Sequence, residues 1–359
     1  VNITRHARLI GAAAAAALLL AACGSDGGST DGGDSTASID CATGSIKASG
    51  SSAQKNAITE WINEYQAACE GATIDYQANG SGAGIQDFTN GQTAFAGSDS
   101  ALKEDEQPKA DARCEAGPAI QLPMVGGAIN VVYNVEGLDK LILDAPVLAG
   151  IFNNEITTWN DPKIAALNPD VSLPSATIAQ FHRSDESGTT DNFVKYLIAK
   201  EVWDYEGGKA WEAPGGQGAK GSDGVASAVK DTPNSIGYVE LSFAQDLGLS
   251  SAWIDNGNGP IEPTSANAAE TIAAATVEGS GNNLPLKIDR AGAAGYPIVL
   301  VTYEITCEKG LAGADLEVTK SFLTYTASED GQALLTEIGY VPITGDLLTK
   351  VQSAVASIS

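Results

Sequence analysis

A chain of 359 residues with 43% hydrophobic content has room for two domains and a substantial core. Its 45 acidic residues outnumber 20 basic ones, and the formal charge of -25 opposes nucleic acid and anionic membrane surfaces. The same field opposes an anionic ligand at long range, although a buried site answers to local donors rather than to distant, screened charge.

In chain order, Arg5, His6 and Arg8 precede Leu9 to Ala22, an apolar run of 14 residues that ends at Cys23. That run is too short to span a bilayer and has the charged-then-apolar layout of a secretory signal. Leu20-Ala21-Ala22-Cys23 resembles a bacterial lipoprotein box, which makes residues 1–22 a signal peptide and Cys23 a lipidation site that anchors the chain to the outer face of the cell membrane. Residues 23–43 then form a Gly/Ser/Asp/Thr tether with no means of building a core. Without residues 1–22 the balance becomes 18 basic against 45 acidic residues, or -27. Four cysteines remain, Cys41, Cys69, Cys114 and Cys307, and an even count in an exported chain reads as disulfides. No CxxC pair exists and the remaining histidine is His182, so no metal site is expected. Of three possible pairings, Cys41–Cys69 and Cys114–Cys307 are favoured.

Structure is expected from near Gly44. A strand at Ile46–Ser49 leads through Gly50-Ser51-Ser52-Ala53 into a helix, where Ile58, Trp61, Ile62 and Tyr65 keep a 3.6-residue period. A second strand, Ala72–Gln77, leads to Asn79-Gly80-Ser81-Gly82-Ala83-Gly84 and another helix. A third, Thr93–Ala96, leads to Gly97-Ser98-Asp99-Ser100. Alternating βα units predict a mostly parallel sheet whose loops gather at the carboxyl ends of its strands, where small anions bind. Two apolar stretches, Ala119–Val125 and Ala128–Tyr133, follow without an intervening helix and read as a crossing into a second lobe. That lobe contains helices near Ala145–Phe152 and Pro162–Leu167, a helix at Val225–Lys230 and a strand at Ile236–Leu241. The β-branched run Pro297–Thr306 crosses back, and helices carrying Phe322, Leu323, Tyr325, Leu334 and Leu335 complete the first lobe.

The stretch His182-Arg183-Ser184-Asp185-Glu186-Ser187-Gly188-Thr189-Thr190 lies between an apolar strand and an amphipathic helix. Free N–H groups and a partial positive charge at the start of that helix suit an anion, and Arg183 adds a bidentate fork. A plain helix cap accounts for the same residues equally well. Enzyme signals are weak. Ser52-Ala53-Gln54-Lys55 matches S-x-x-K but lacks its companion motifs. Gly216–Gly221 fits G-x-G-x-x-G by letter but follows no apolar strand, and so reads as a surface loop. Nucleophile elbow, Walker A loop and phosphatase-type His/Asp clusters are all missing. Asp99 is the odd member among the donors. A carboxylate there accepts a hydrogen bond from a protonated oxygen, which phosphate has near neutral pH and sulfate lacks.

Over roughly residues 44–345 the chain resembles the phosphate-binding lipoproteins of high-affinity phosphate ABC transporters. The blocks GSSAQ, NGSGAG, AGSDSAL, TTWNDPKIAALNP, HRSDESGTT, GSDGVASAV and IGYVEL carry the resemblance in order. It implies an α/β, two-lobe periplasmic-binding-protein fold of type II, each lobe a mostly parallel sheet flanked by helices, hinged by crossing strands. The lobes would comprise residues 44–125 plus 296–359, and 126–295. It implies an inorganic phosphate ligand, a membrane permease partner, a monomer without catalysis, and no cofactor. Block by block, the ligand positions fall on Ser52 and the amide of Ala53, on Ser81, on Asp99, and on Arg183 with Ser187, Gly188 and Thr189. Arg183 and Asp99 are expected to pair. Two positions depart from the family: Ala53 replaces a bulkier aromatic, and Glu186, where Gly is common, should point to solvent. A receptor for sulfate or molybdate, or an exported serine hydrolase or phosphatase using Ser52 or Ser187, are the alternatives.

Overall fold

Three strand–turn–helix units open the described part of the chain. In this computed structural model it comprises residues 39–359. The segment expected to be a signal peptide, Cys23 and the expected tether as far as residue 38 lie outside the described residues. Strand β1 (Gly44–Gly50) leads to α1 (Lys55–Ala68), β2 (Ala72–Gln77) to α2 (Ser81–Thr89), and β3 (Phe95–Ser98) to α3 (Gln107–Arg113). Ile58, Trp61 and Tyr65 are buried along one face of α1, as their spacing requires, with Ile62 at the margin.

The two apolar stretches of the crossing form one strand, β4 (Ala119–Asn134), because Gly126 and Gly127 continue it. Side chains there would be crowded: a Cβ on Gly126 would lie 2.6 Å from the end of the Ile272 side chain, and one on Gly127 would lie 3.0 Å from Glu240. Beyond it come β5 (Ile142–Asp144), α4 (Ala145–Phe152), α5 (Pro162–Leu167), β6 (Ala179–Arg183) and α6 (Gly188–Ala199). Then follow β7 (Gln217–Ala219), α7 (Gly221–Asp231), β8 (Ser235–Glu240) and α8 (Leu241–Leu247). The reading of Gly216–Gly221 as a surface loop is therefore corrected. Three of its residues form a strand parallel to the end of β6, and Gly221 opens a helix. Apolar content gave no sign of it because β7 is an exposed edge held by backbone hydrogen bonds.

The main sheet has the order β2-β1-β3, the return strand Val299–Cys307, then β4-β8-β6-β7. Pairings at both flanks are parallel, whereas the return strand, β4 and their neighbours pair antiparallel. The first part of β4 pairs with the return strand and its last six residues pair with β8, so β4 belongs to both lobes. One core cluster joins Ile46, Trp61 and Tyr65 to Phe322, Leu323 and Leu335 of the C-terminal helices. A larger one gathers Phe152, Trp159, Phe193 and Tyr238 in the second lobe.

Cys41 bonds Cys69 and Cys114 bonds Cys307, with Cα separations of 5.2 and 5.3 Å. The second bridge joins residues 193 apart in sequence and ties the end of α3 to the end of the return strand. Closing so long a loop restricts the unfolded chain most, by slightly more than about 5 kcal/mol in the chain-entropy model. Among the described residues, no helix is long and apolar enough to cross a membrane.

Candidate oxyanion-binding site

Parallel βα units bring the carboxyl ends of β1, β2, β3, β6 and β7 to one cleft, where the lobes meet through short polar contacts. Ser222 donates its N–H to Ser52 Oγ at 3.0 Å, and the two hydroxyls lie 3.1 Å apart. Ser81 Oγ accepts the N–H of Asp99 at 3.1 Å and of Gly188 at 3.2 Å. Gly82 N–H donates to the Glu186 carbonyl at 3.0 Å. The Asn192 amide donates to the carbonyls of Asp99 at 2.6 Å and Gly188 at 2.9 Å, bridging the lobes. Approach this close needs glycine: a Cβ on Gly188 would stand 2.5 Å from Ser81 Oγ and 2.6 Å from Asp99 Cβ. At Gly80, where φ is 106°, it would stand 2.5 Å from Asp185 Oδ2.

Arg183 is 2% exposed. Its Nε donates to Asp185 Oδ1 at 2.8 Å, one terminal nitrogen to Asp185 Oδ2 at 2.5 Å, and the other to Thr189 Oγ1 at 3.4 Å. Its partner is thus Asp185, not Asp99. A carboxylate two residues along the same turn meets the fork in a fixed geometry, whereas Asp99 must reach from the other lobe. Burial pushes the Asp185 carboxyl up, but the Arg183 guanidinium and the Gly221 N–H outweigh it and hold the group below the usual carboxylate range. Asp99 has no such cation in contact. Thr302 Oγ1 donates to its Oδ1 at 2.8 Å and Ser81 Oγ lies 3.5 Å from its Oδ2. Burial raises the Asp99 carboxyl above its ordinary range against the hydroxyls of Ser51, Thr302 and Ser81 and the charge of Arg183.

Ser187 caps the helix that begins at Gly188. Ser187 Oγ accepts the N–H of Thr190 at 3.1 Å, and Ser187 N–H donates to the Lys209 carbonyl at 2.8 Å. Ala53 is fully buried, but its N–H is directed inward to Ser51 Oγ at 3.1 Å, and its carbonyl accepts from Tyr340 at 2.6 Å. Glu186 is exposed, its side chain lying over Gly82 at the cleft margin.

Nucleophilic chemistry finds no support in the same contacts. Lys55 of the S-x-x-K match donates to Asp223 at 2.7 Å on the surface. The His182 ring stacks on Trp211, centroids 4.8 Å apart, and Ser187 caps its helix. Asp185, Ser222, Thr302 and Asn192 are site residues that the sequence reading did not assign. Asp185 and Ser222 stand inside the HRSDESGTT and GSDGVASAV blocks, so a signal was there. Thr302 and Asn192 left none, since their roles arise only when distant segments meet.

The family model of the PBP superfamily domain matches residues 35–330. Phosphate-binding protein PstS 3 of Mycobacterium tuberculosis is 45% identical over 344 residues, 93% of this chain and 92% of that protein. Phosphate-binding protein PstS 2 of the same organism is 38% identical over 94% and 93%. Among solved structures, a phosphate binding protein from Stenotrophomonas maltophilia has the same fold, with a TM-score of 0.67 and 18% identity over 87% of this chain and 94% of that one. The chain belongs to the PstS family of phosphate-binding proteins within the PBP superfamily.

Proposed function

We propose that the chain is an extracytoplasmic receptor that captures inorganic phosphate between its lobes and hands it to the permease of an ABC transporter. The lobes are residues 44–125 with 296–359, and residues 126–295. Ser52, Ser81, Asp99, Arg183, Ser187, Gly188 and Thr189 hold the anion, with the backbone around Ala53 shaping the wall beside it. The observation that carries this reading is a fully buried guanidinium standing at a helix start, opposite a buried carboxylate and two hydroxyl-bearing turns. A cation amid neutral dipoles attracts an oxyanion, and a carboxylate on the facing lobe accepts the proton that phosphate offers and sulfate lacks. The two relatives described above are both named for phosphate binding, which favours the same ligand. The signal-like segment and Cys23 support a lipid-anchored protein on the outer face of the cell membrane, and it acts as a monomer in this reading. Isothermal calorimetry with phosphate and then sulfate tests the ligand: saturable phosphate binding with sulfate at least a hundredfold weaker is expected. Sulfate binding of equal strength, or turnover of a phosphoester, would overturn the reading.

A further inference from the structure

Behind Asp99 lies a second acid that does not line the site. Glu304, on the return strand, is 1% exposed, and neither carboxyl oxygen has a partner at hydrogen-bonding geometry, although the Gln54 amide is near enough to favour the ionised form somewhat. It stands opposite Gly97 of β3 and beside Leu122 of β4. Gln54 covers the bare face of Gly97, where any Cβ would collide with its amide and lie 2.6 Å from the Tyr76 hydroxyl. Gln54 Nε2 donates to Tyr76 at 2.9 Å, and Tyr76 donates to the Ser51 carbonyl at 2.9 Å. Gln54 Oε1 is itself buried without a donor.

Those contacts determine which form of the acid the site tolerates. An ionised carboxylate without donors or a cation is among the costliest groups to bury. The titratable groups facing Glu304 are Asp99, beyond β3, and Tyr76 on β2, and no cation is among the groups acting on it. A proton on Glu304 removes the charge from a wall that supplies it with no cation. Burial pushes the Glu304 carboxyl up to about 8, against the Gln54 contact and with the charge of Asp99.

We propose that Glu304 is a proton-linked positioning residue: neutral while the cleft holds phosphate, it ties capture of the anion to protonation of a side chain that never touches it. The inference rests on the phosphate reading above. Ionised Glu304 adds a second negative charge behind Asp99 in a low-dielectric wall, so it opposes a dianion in front of that wall. By linkage, bound phosphate must favour the protonated form, and affinity must fall as pH rises through the range where Glu304 ionises.

The test is calorimetry of phosphate binding to the full chain and to E304Q between pH 7 and 9.5, in buffers of differing ionisation enthalpy. Above pH 8 free phosphate is essentially all dianion, so its own titration adds little to the trend there. Wild type should lose about tenfold in affinity across that range and take up a fraction of a proton per phosphate bound. E304Q, carrying a neutral isostere, should bind within a few-fold of wild type at pH 7, with a flatter profile and a smaller proton uptake. Equal profiles and equal uptake in the two proteins would overturn the proposal and assign any linkage to Asp99. Should E304Q fail to fold, wild type alone decides, since a flat profile with no proton uptake also sinks the idea. Phosphate binding absent from wild type at pH 7 would instead refute the functional reading.

Discussion

A guanidinium that already holds Asp185 through two nitrogens has part of its charge matched, and what it offers an anion is the edge turned toward Thr189. Arg183→Ala removes that edge and leaves the half-buried Asp185 with the Gly221 N–H but no cation. Phosphate affinity should drop by about 2–5 kcal/mol in a calorimetric titration. An unchanged constant would take Arg183 out of the site. Asp99 acts in the opposite sense, by refusing anions that bring no proton. Because burial raises its carboxyl, the group gains its proton at a higher pH than a free aspartate, so discrimination against sulfate should weaken as pH falls. Asp99→Asn should admit sulfate by at least tenfold while reducing phosphate binding, read as competition of sulfate for the phosphate site.

At the scale of elements, a buried ion pair adds to the hydroxyl, backbone and amide contacts that hold the cleft. Lys209, 3% exposed, donates to both carboxylate oxygens of Glu106, at 2.8 and 3.0 Å, while its carbonyl takes the N–H of Ser187. The pair thus joins the segment before α3 to the loop that positions the start of α6. Glu106→Gln leaves an ammonium buried without a counter-charge, and phosphate affinity should fall by about 2 kcal/mol or more, mainly through faster release. Stopped-flow release at unchanged speed would make the pair incidental to closure. Nothing in the sequence joined Lys209 to Glu106, 103 positions apart, because only the fold brings them together. The βα units were legible because Ile58, Trp61 and Tyr65 in α1, and the Gly/Ser turns after β1 and β2, follow local rules. β7 was not, since its three polar and small residues are a strand only by virtue of the edge of β6. Asp185 lay in plain view inside its motif, yet the reading sought the partner of Arg183 across the cleft. An ion pair within one turn costs less chain ordering than a pair between lobes.

For the whole molecule, the buried acids set how stability follows pH. Glu240 closes β8 against Gly127, accepts from Ser242 N–H and Oγ at 2.8 and 2.6 Å, and has its other oxygen unpaired. Burial pushes its carboxyl up to about 8, as it does that of Glu304. Between the unfolded value near 4.5 and the folded value near 8, the native chain binds more protons than the unfolded one at these two sites. Their contribution to stability therefore falls as pH rises through that window and levels off above it. Asp185, held low by Arg183, works at the other end, contributing stability above the unfolded aspartate value and losing it as pH drops through its own. At these three sites the glutamates draw stability down as pH rises above the unfolded glutamate value, and Asp185 draws it down as pH falls below the unfolded aspartate value. Glu240→Gln keeps the acceptor for Ser242 and removes the titration. Urea unfolding of wild type and variant at pH 5 and pH 8 should show the variant gaining on wild type by at least about 1 kcal/mol at the higher pH. Unfolding curves separated by the same margin at both pH values would mean that Glu240 is already ionised in the folded chain, with its charge compensated at the junction of β4 and β8.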